Sequence, residues 1–355
     1  MHGMLTPVGP AVAAPIVYAL GFSWRKRPLV RQFLGTAEVR FVRKPAQVPD
    51  GASAAVWASG PFGKATPGDA AGERFKRLWI EDGFLRSVGL GADLVRPLSW
   101  VIDSRGIYYD ASRPSDLEHL LQNRVFDAPT LHRAAALRDK LVRTGLTKYN
   151  VGVLPWRRPA QAAGKKVVLV PGQVETDAAI RLGAPGITTN MTLLHAARNA
   201  EPDAWLIYKP HPDVVAGLRN AGALESQARQ SCDEIVRDVP MGDLLNAVDA
   251  VHVLTSLTGF EALLRGKQVA CHGLPFYAGW GLTQDVLRVN RRSRVLSLDE
   301  LVAGVLLQYP VYVSRATGLI CSAEQALSEL LDWRASAGIV LPLWRRMLRP
   351  LLKHD

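Results

Sequence analysis

Short apolar runs alternate along this chain with longer segments in which apolar residues recur at helical spacing. In the first half the runs predict strands at 16–20, 38–42, 54–58, 77–80 and 99–102. Gly21-Phe22-Ser23 turns the first strand into a basic helix. A turn at Ser104-Arg105-Gly106 leads to Ile107-Tyr108-Tyr109, and Ser115 caps a helix with Asp116 and Glu118 in its first turn. Residues 131–144 predict a basic amphipathic helix that connects the halves. The second half restarts at Val167-Val168-Leu169-Val170. Strands at 205–208, 234–236, 250–253 and 268–271 alternate with helices near 190–199, 214–229, 241–247 and 257–265. The tail returns through helices at 299–308 and 323–335.

Such alternation is the signature of βα units and parallel sheets. At 355 residues the chain exceeds one ordinary core. The expectation is an α/β protein of two Rossmann-like domains facing a cleft, at residues 1–155 and 156–335, followed by a basic amphipathic tail at 336–355. Pro155, Pro159 and the small residues up to 165 read as the linker. Residues 1–24 carry no Asp, Glu, Lys or Arg, but Pro7, Pro10 and Pro15 interrupt them. A loose tail ending in a buried strand fits them better than a signal peptide or a membrane span.

Composition then narrows the partners. The chain is 48% hydrophobic and 21% charged, a globular balance. Its formal charge of +11 favours nucleotides, acidic glycans or anionic lipid. No nucleic-acid motif is recognisable, so no nucleic-acid partner is expected. Cys232, Cys271 and Cys321 lie far apart, which fits a reducing compartment rather than a disulfide framework. The sequence has no Asp-x-Asp pair, no His/Cys cluster at metal spacing and no Walker-type loop. Metal-dependent transfer of the common diphosphate-sugar type is therefore disfavoured, and no cofactor is expected.

Polar groups gather where the apolar runs end. Tyr208-Lys209-Pro210-His211-Pro212 follows one predicted strand, and Thr255-Ser256-Leu257-Thr258-Gly259-Phe260-Glu261 follows another. Open α/β sheets bind ligands at that edge, and a helix start is a ready anion site. Lys209, His211, Ser256, Gly259 and Glu261 read as a seat for a nucleotide phosphate and sugar; the plainer alternative is a polar strand end and an ordinary Ser cap. Glu81-Asp82-Gly83-Phe84-Leu85-Arg86 reads equally as acid/base machinery in a cleft or as a solvated turn with a local Asp–Arg pair. Gln173-Val174-Glu175-Thr176-Asp177 offers two carboxylates at a helix start. One caps or faces solvent; the other is either a nucleophile for an anomeric carbon or a complement to the helix dipole. The aromatic, glycine-rich loop from His272 to Leu282 either covers a sugar or stacks on a base, or else plugs the space between domains. Residues 343–353 alternate apolar and basic side chains, as in an interfacial segment on anionic membrane or a docked tail.

Taken in order, six stretches resemble the KpsC/LipA-type capsule polysaccharide family of retaining β-Kdo glycosyltransferases. They are Glu81 to Gly89 (EDGFLRSVG), Leu146 to Gly152 (LTKYNVG), Val170 to Asp177 (VPGQVETD), Tyr208 to Pro212 (YKPHP), Thr255 to Gly266 (TSLTGFEALLRG) and Pro275 to Leu282 (PFYAGWGL). The resemblance runs from about residue 16 to 331 and is greatest to the C-terminal module of KpsC. It implies the two-domain B architecture of glycosyltransferases, a CMP-β-Kdo donor and a β-Kdo-terminated acceptor, an anionic oligo-β-Kdo lysophospholipid. It implies Asp177 as the nucleophile that takes the sugar and Glu81 as its acid/base partner. Gln173, Lys209, His211, Pro212, Ser256, Gly259 and Glu261 would hold the donor, with Glu261 on the ribose. Arg86, Tyr277 and Trp280 would face the acceptor or the cleft. CMP leaves with one phosphate, so cationic side chains and a helix end can stabilise it without a metal. A cytoplasmic location follows, with peripheral contact to the inner membrane as an open option. Familiar members carry two modules in tandem and this chain holds one. The competing readings are a nucleotide-sugar epimerase or hydrolase of the same architecture, and a basic binding protein without turnover.

Overall fold

The computed structural model describes residues 14–35, 37–63, 74–88, 95–148, 150–152 and 154–336. The expected amphipathic tail beyond Ser336 lies outside the described residues. The first half forms β1 (Ile16–Leu20), α1 (Arg27–Leu34), β2 (Glu38–Val42), β3 (Ser53–Trp57), β4 (Lys76–Asp82), β5 (Ser99–Asp103), α2 (Asp116–Asn123) and α3 (Ala128–Thr144). The next segment forms β6 (Val167–Pro171), α4 (Ala178–Gly183), α5 (Asn190–Ala200), β7 (Trp205–Lys209), α6 (Pro212–Val215), β8 (Glu234–Ile235) and α7 (Met241–Ala247). It continues with β9 (Ala250–Val253), α8 (Leu257–Leu263), β10 (Gln268–Cys271), β11 (Gln284–Asp285) and α9 (Leu298–Val302). The chain closes with β12 (Pro310–Val313), β13 (Ile320–Cys321) and α10 (Ala323–Ser336).

Local chemistry sets these boundaries. Asp127 caps α3 by accepting the Thr130 N–H, and Gly145 ends it with φ at 64°, a left-handed conformation that costs glycine little. Ser297 and Glu300 form a reciprocal capping box on α9. All five residues of β6 are buried, as expected for a parallel strand covered on both faces.

The strands of the described residues form two sheets. One has the order β13-β12-β5-β4-β3-β1-β2 and the other β11-β10-β9-β6-β7-β8. The second is parallel throughout. The first is parallel from β2 to β4 and antiparallel beyond. Each sheet reverses its winding once, between β1 and β3 and between β6 and β9. Such switch points open a crevice at the carboxyl edge.

Two segments depart from the sequence expectation. Residues 310–321 lie within the expected second domain, yet β12 pairs antiparallel with β5 and extends the first sheet. The expected helix at 214–229 is instead the single turn of α6 and a 3-10 turn at Glu225–Gln230. Gly217 and Leu224 take φ of 71° and 59° between them, and the Ala223 N–H is drawn to Glu175 Oε2 at 2.9 Å, so helical backbone cannot continue.

The two halves pack directly. Phe84 lies between them, with ring centroids 4.9 Å from Tyr108, 4.8 Å from Phe276 and 6.4 Å from Phe260. Glu118 on α2 receives Arg291 at 2.7 Å and Arg292 at 2.9 Å from the loop that follows β11.

Candidate active site

Three loops meet at the switch point of the second sheet. After β6, the Gln173 side chain crosses to the loop after β9: its Nε2 donates to Thr255 Oγ1 at 3.0 Å and its Oε1 accepts the Thr255 N–H at 2.9 Å. Asn190, first residue of α5, accepts the Gln173 N–H at 2.8 Å and donates to the Gln173 carbonyl at 2.9 Å. The amide of Gln173, expected on the donor, is thus committed to holding two strand ends together. Glu175 accepts the main-chain N–H of Asn190 at 2.7 Å and of Ala223 at 2.9 Å. Of the two carboxylates in this loop it is therefore the structural one. Asp177 stands at the start of α4 without a side-chain capping bond, and it is exposed.

The next loop follows β7. Lys209 is buried, and its ammonium donates to the carbonyls of Arg237 at 3.1 Å and Val239 at 2.8 Å. Burial pushes its pKa down to about 8, with Asp238 opposing. Those carbonyls take two of its three donors, so Lys209 fixes the 237–239 segment. His211 caps α6, with Nδ1 accepting the Asp213 N–H at 3.2 Å, and Pro212 is the first residue of that helix. Burial lowers the His211 pKa to about 4; Asp177 opposes the fall, while Lys148 and Arg219 add to it. The ring is neutral at pH 7, and the capping bond places its proton on Nε2.

The third loop follows β9. Ser256 caps α8 through the Thr258 N–H at 3.2 Å. Its carbonyl accepts the Tyr277 hydroxyl. Gly259 lies directly under that ring, where a Cβ would sit 2.2 Å from Tyr277 Oη. Tyr277 and Trp280, expected in the cleft, are both 0% exposed. Trp280 Nε1 donates to the Phe276 carbonyl at 2.8 Å. Tyr277 thus underpins the start of α8, while Trp280 ties its own loop together, and both rings are buried rather than open to the cleft. Arg292 braces the same loop through the carbonyls of Pro275 at 2.6 Å and Ala278 at 2.9 Å.

The first sheet contributes Glu81, at the carboxyl end of β4. Its Oε1 accepts the Asp82 N–H at 3.1 Å and its Oε2 accepts the Tyr109 hydroxyl at 3.3 Å. Burial raises its pKa to about 7, helped by the Asp82 charge and opposed by Lys148 and Lys26. Arg86, also expected in the cleft, is 5% exposed and bound to Asp82 at 2.6 Å and to Ser87 Oγ at 2.9 Å. It shapes the turn beneath Glu81. Glu261, expected on a ribose, is buried in α8, and its Oε1 accepts the Lys148 main-chain N–H at 2.8 Å.

Lys148 links Glu81, His211 and Glu261, and Asp177 acts on His211. The Lys148 ammonium acts on the proton affinity of Glu81, His211 and Glu261 alike. Lys148 was visible only as part of the LTKYNVG stretch; nothing in its local pattern singles it out. Asn190 was likewise missed, and Thr255 was read only as part of its stretch, since their common partner Gln173 lies 17 and 82 positions away. Among the described residues no group of three His, Cys, Asp or Glu side chains is placed to hold a metal.

Comparison with known proteins identifies the family. The family described as "Capsule polysaccharide biosynthesis protein" matches residues 64–151 and 151–312. The capsule polysaccharide modification protein LipA of Neisseria meningitidis serogroup A is 44% identical over 320 residues, covering 89% of this chain and 45% of LipA. The lipopolysaccharide-processing protein LpsZ of Rhizobium meliloti is 43% identical over 257 residues, 71% of this chain and 58% of LpsZ. The chain spans about half the length of these relatives. Two solved structures from Thermosulfurimonas dismutans KpsC superpose well. Its β-Kdo 2,7 transferase gives a TM-score of 0.74 at 38% identity over 90% of this chain and 99% of that one. Its β-Kdo 2,4 transferase gives 0.77 at 34% identity over 89% and 98%. The ordered motifs, the two switch-point sheets and these matches place the chain in the KpsC/LipA-type family of capsule polysaccharide biosynthesis proteins.

Proposed function

We propose that this chain is a retaining glycosyltransferase of the two-domain B architecture, moving Kdo from CMP-β-Kdo to a β-Kdo-terminated glycolipid. The observation that carries the reading is the contrast between two carboxylates. Asp177 is exposed and makes no capping bond, so it is available as a nucleophile. Glu81 is held near pKa 7, where it gives and takes a proton readily. Similarity to the two KpsC transferases supports the same chemistry.

In this mechanism the Asp177 carboxylate attacks the anomeric carbon of the donor and CMP departs. Glu81 then removes the proton of the acceptor hydroxyl as that oxygen displaces Asp177. Two inversions give net retention. The His211 Nε2–H and the Lys148 ammonium supply positive potential to the phosphate and to the Kdo carboxylate. Lys209 and Gln173 act one step back by fixing the loops that carry these groups. Anionic donor, anionic acceptor and the charge of +11 are mutually consistent.

The test is incubation with CMP-Kdo, generated in place, and a synthetic β-Kdo-terminated acceptor, with products read by mass spectrometry and NMR. A new β-linked Kdo is the expected product. CMP release at an equal rate with and without acceptor, and no new linkage, would instead identify a hydrolase.

A further inference from the structure

At the carboxyl edge of the first sheet, β1 and β3 part at that sheet's own switch point. Gly21 follows β1 with φ at 75°, and a Cβ there would come within 2.6 Å of the Phe62 ring, so the ring lies on bare backbone. Trp24 projects from the next turn and is 74% exposed. The Arg25 guanidinium sits 5.3 Å from the Trp24 ring centroid, and the Lys26 ammonium 3.5 Å from that of Trp57. Trp57 pairs in register with Ile80, the residue before Glu81. Neighbouring strands lie about 4.8 Å apart, so this rim adjoins the catalytic edge.

We propose that this rim, where exposed Trp24 and Arg25 stand beside Lys26 and Trp57, binds the acceptor as a carboxylate-bearing oligosaccharide. The proposal rests on the transfer reading above. Flat aromatic faces receive the apolar faces of sugar rings, while guanidinium and ammonium groups meet the carboxylates. The groups first expected to serve the acceptor, Arg86, Tyr277 and Trp280, are all buried. A membrane surface is the weaker fit. It would need an apolar face turned outward, and the apolar residues Val30, Phe33 and Leu34 of α1 are buried.

Two variants of the full chain, Trp24→Ala and Arg25→Ala, test the assignment. Both positions are exposed, so folding should survive. The acceptor KM is expected to rise about tenfold, while kcat at saturating acceptor and acceptor-free CMP release stay within about twofold. Unchanged KM in both variants would overturn the proposal. A second measurement compares the fluorescence of the parent chain with Trp24→Phe during titration with a β-Kdo oligosaccharide or with anionic phospholipid vesicles. A Trp24 response to the oligosaccharide supports the proposal, even if the parent chain transfers nothing and the transfer reading itself fails. A response to vesicles alone overturns it in favour of membrane contact.

Discussion

The main-chain N–H of Lys148 donates to Glu261 Oε1 at 2.8 Å, tying the connector between the halves to α8. Burial raises the Glu261 pKa to about 7, against the opposing pull of Arg265 and of this bond. The folded chain therefore holds the Glu261 proton more tightly than the unfolded chain does. Stability from this group is full below about pH 4.5 and is lost as pH rises through about 7. One pKa unit is worth about 1.4 kcal/mol, so the loss is of the order of 3 kcal/mol at most. Thermal melts across that range should show a shallower fall for Glu261→Gln, which still accepts the Lys148 N–H. An unchanged slope would remove Glu261 as the source.

Glu81 makes a kinetic prediction. As the base for the acceptor hydroxyl it must be deprotonated, so kcat/KM should rise with pH through about 7. Glu81→Gln should lower transfer by about 10²–10⁴-fold and abolish that limb. If the limb survives at a reduced rate, another group carries it.

Two acidic residues in one loop should fail in opposite ways. Asp177→Ala should lose transfer by about 10⁴-fold or more with a melting temperature close to the parent, since its side chain makes no capping bond. Glu175→Ala removes the acceptor of two main-chain N–H groups, one part-buried and one exposed. It should cost about 1–3 kcal/mol of stability. Parallel melting and CMP-release assays separate them; a stable, inactive Glu175→Ala would reverse the assignment.

The contact of Gly259 with Tyr277 is testable by a double-mutant cycle. Gly259→Ala puts a methyl 2.2 Å from Tyr277 Oη and 2.7 Å from Cζ. It should destabilise by about 1–3 kcal/mol. Tyr277→Phe removes the hydroxyl but leaves the ring, so the double variant should recover only part of the loss. Strict additivity in chemical denaturation would show that the two do not meet.

Much of the fold was legible because its strands are continuous Val, Ile and Leu runs between turn residues. β12 was not. Pro310 argues against an interior strand, yet it is the first residue of this one, where a missing N–H is tolerated. The helix expected at 214–229 had suitable periodicity, but the tie from Ala223 to Glu175 overrides it from 48 positions away. Candidate carboxylates could be read from their places at strand ends. Their division of labour was implied only by the resemblance, since by residue type and place Glu175 and Asp177 differ only in what lies opposite them. An aromatic loop reads the same whether it covers a ligand or plugs a core. Only the contacts of Tyr277 with Ser256 and of Trp280 with Phe276 decide. Glu118 and Arg292, 174 positions apart, leave no local trace.

The return of residues 310–321 to the first sheet has a consequence for synthesis and dissection. β5 is buried along its whole length, and its outer edge is covered only when β12 arrives more than 200 residues later. While the chain emerges from the ribosome, the first sheet must wait with an unpaired apolar edge until nearly all of the second has been made. Cutting the chain in the linker near residue 160 would therefore not yield two free-standing halves. The N-terminal piece would carry an open strand edge prone to self-association, and a soluble version would need residues 310–321 supplied in trans or grafted after β5.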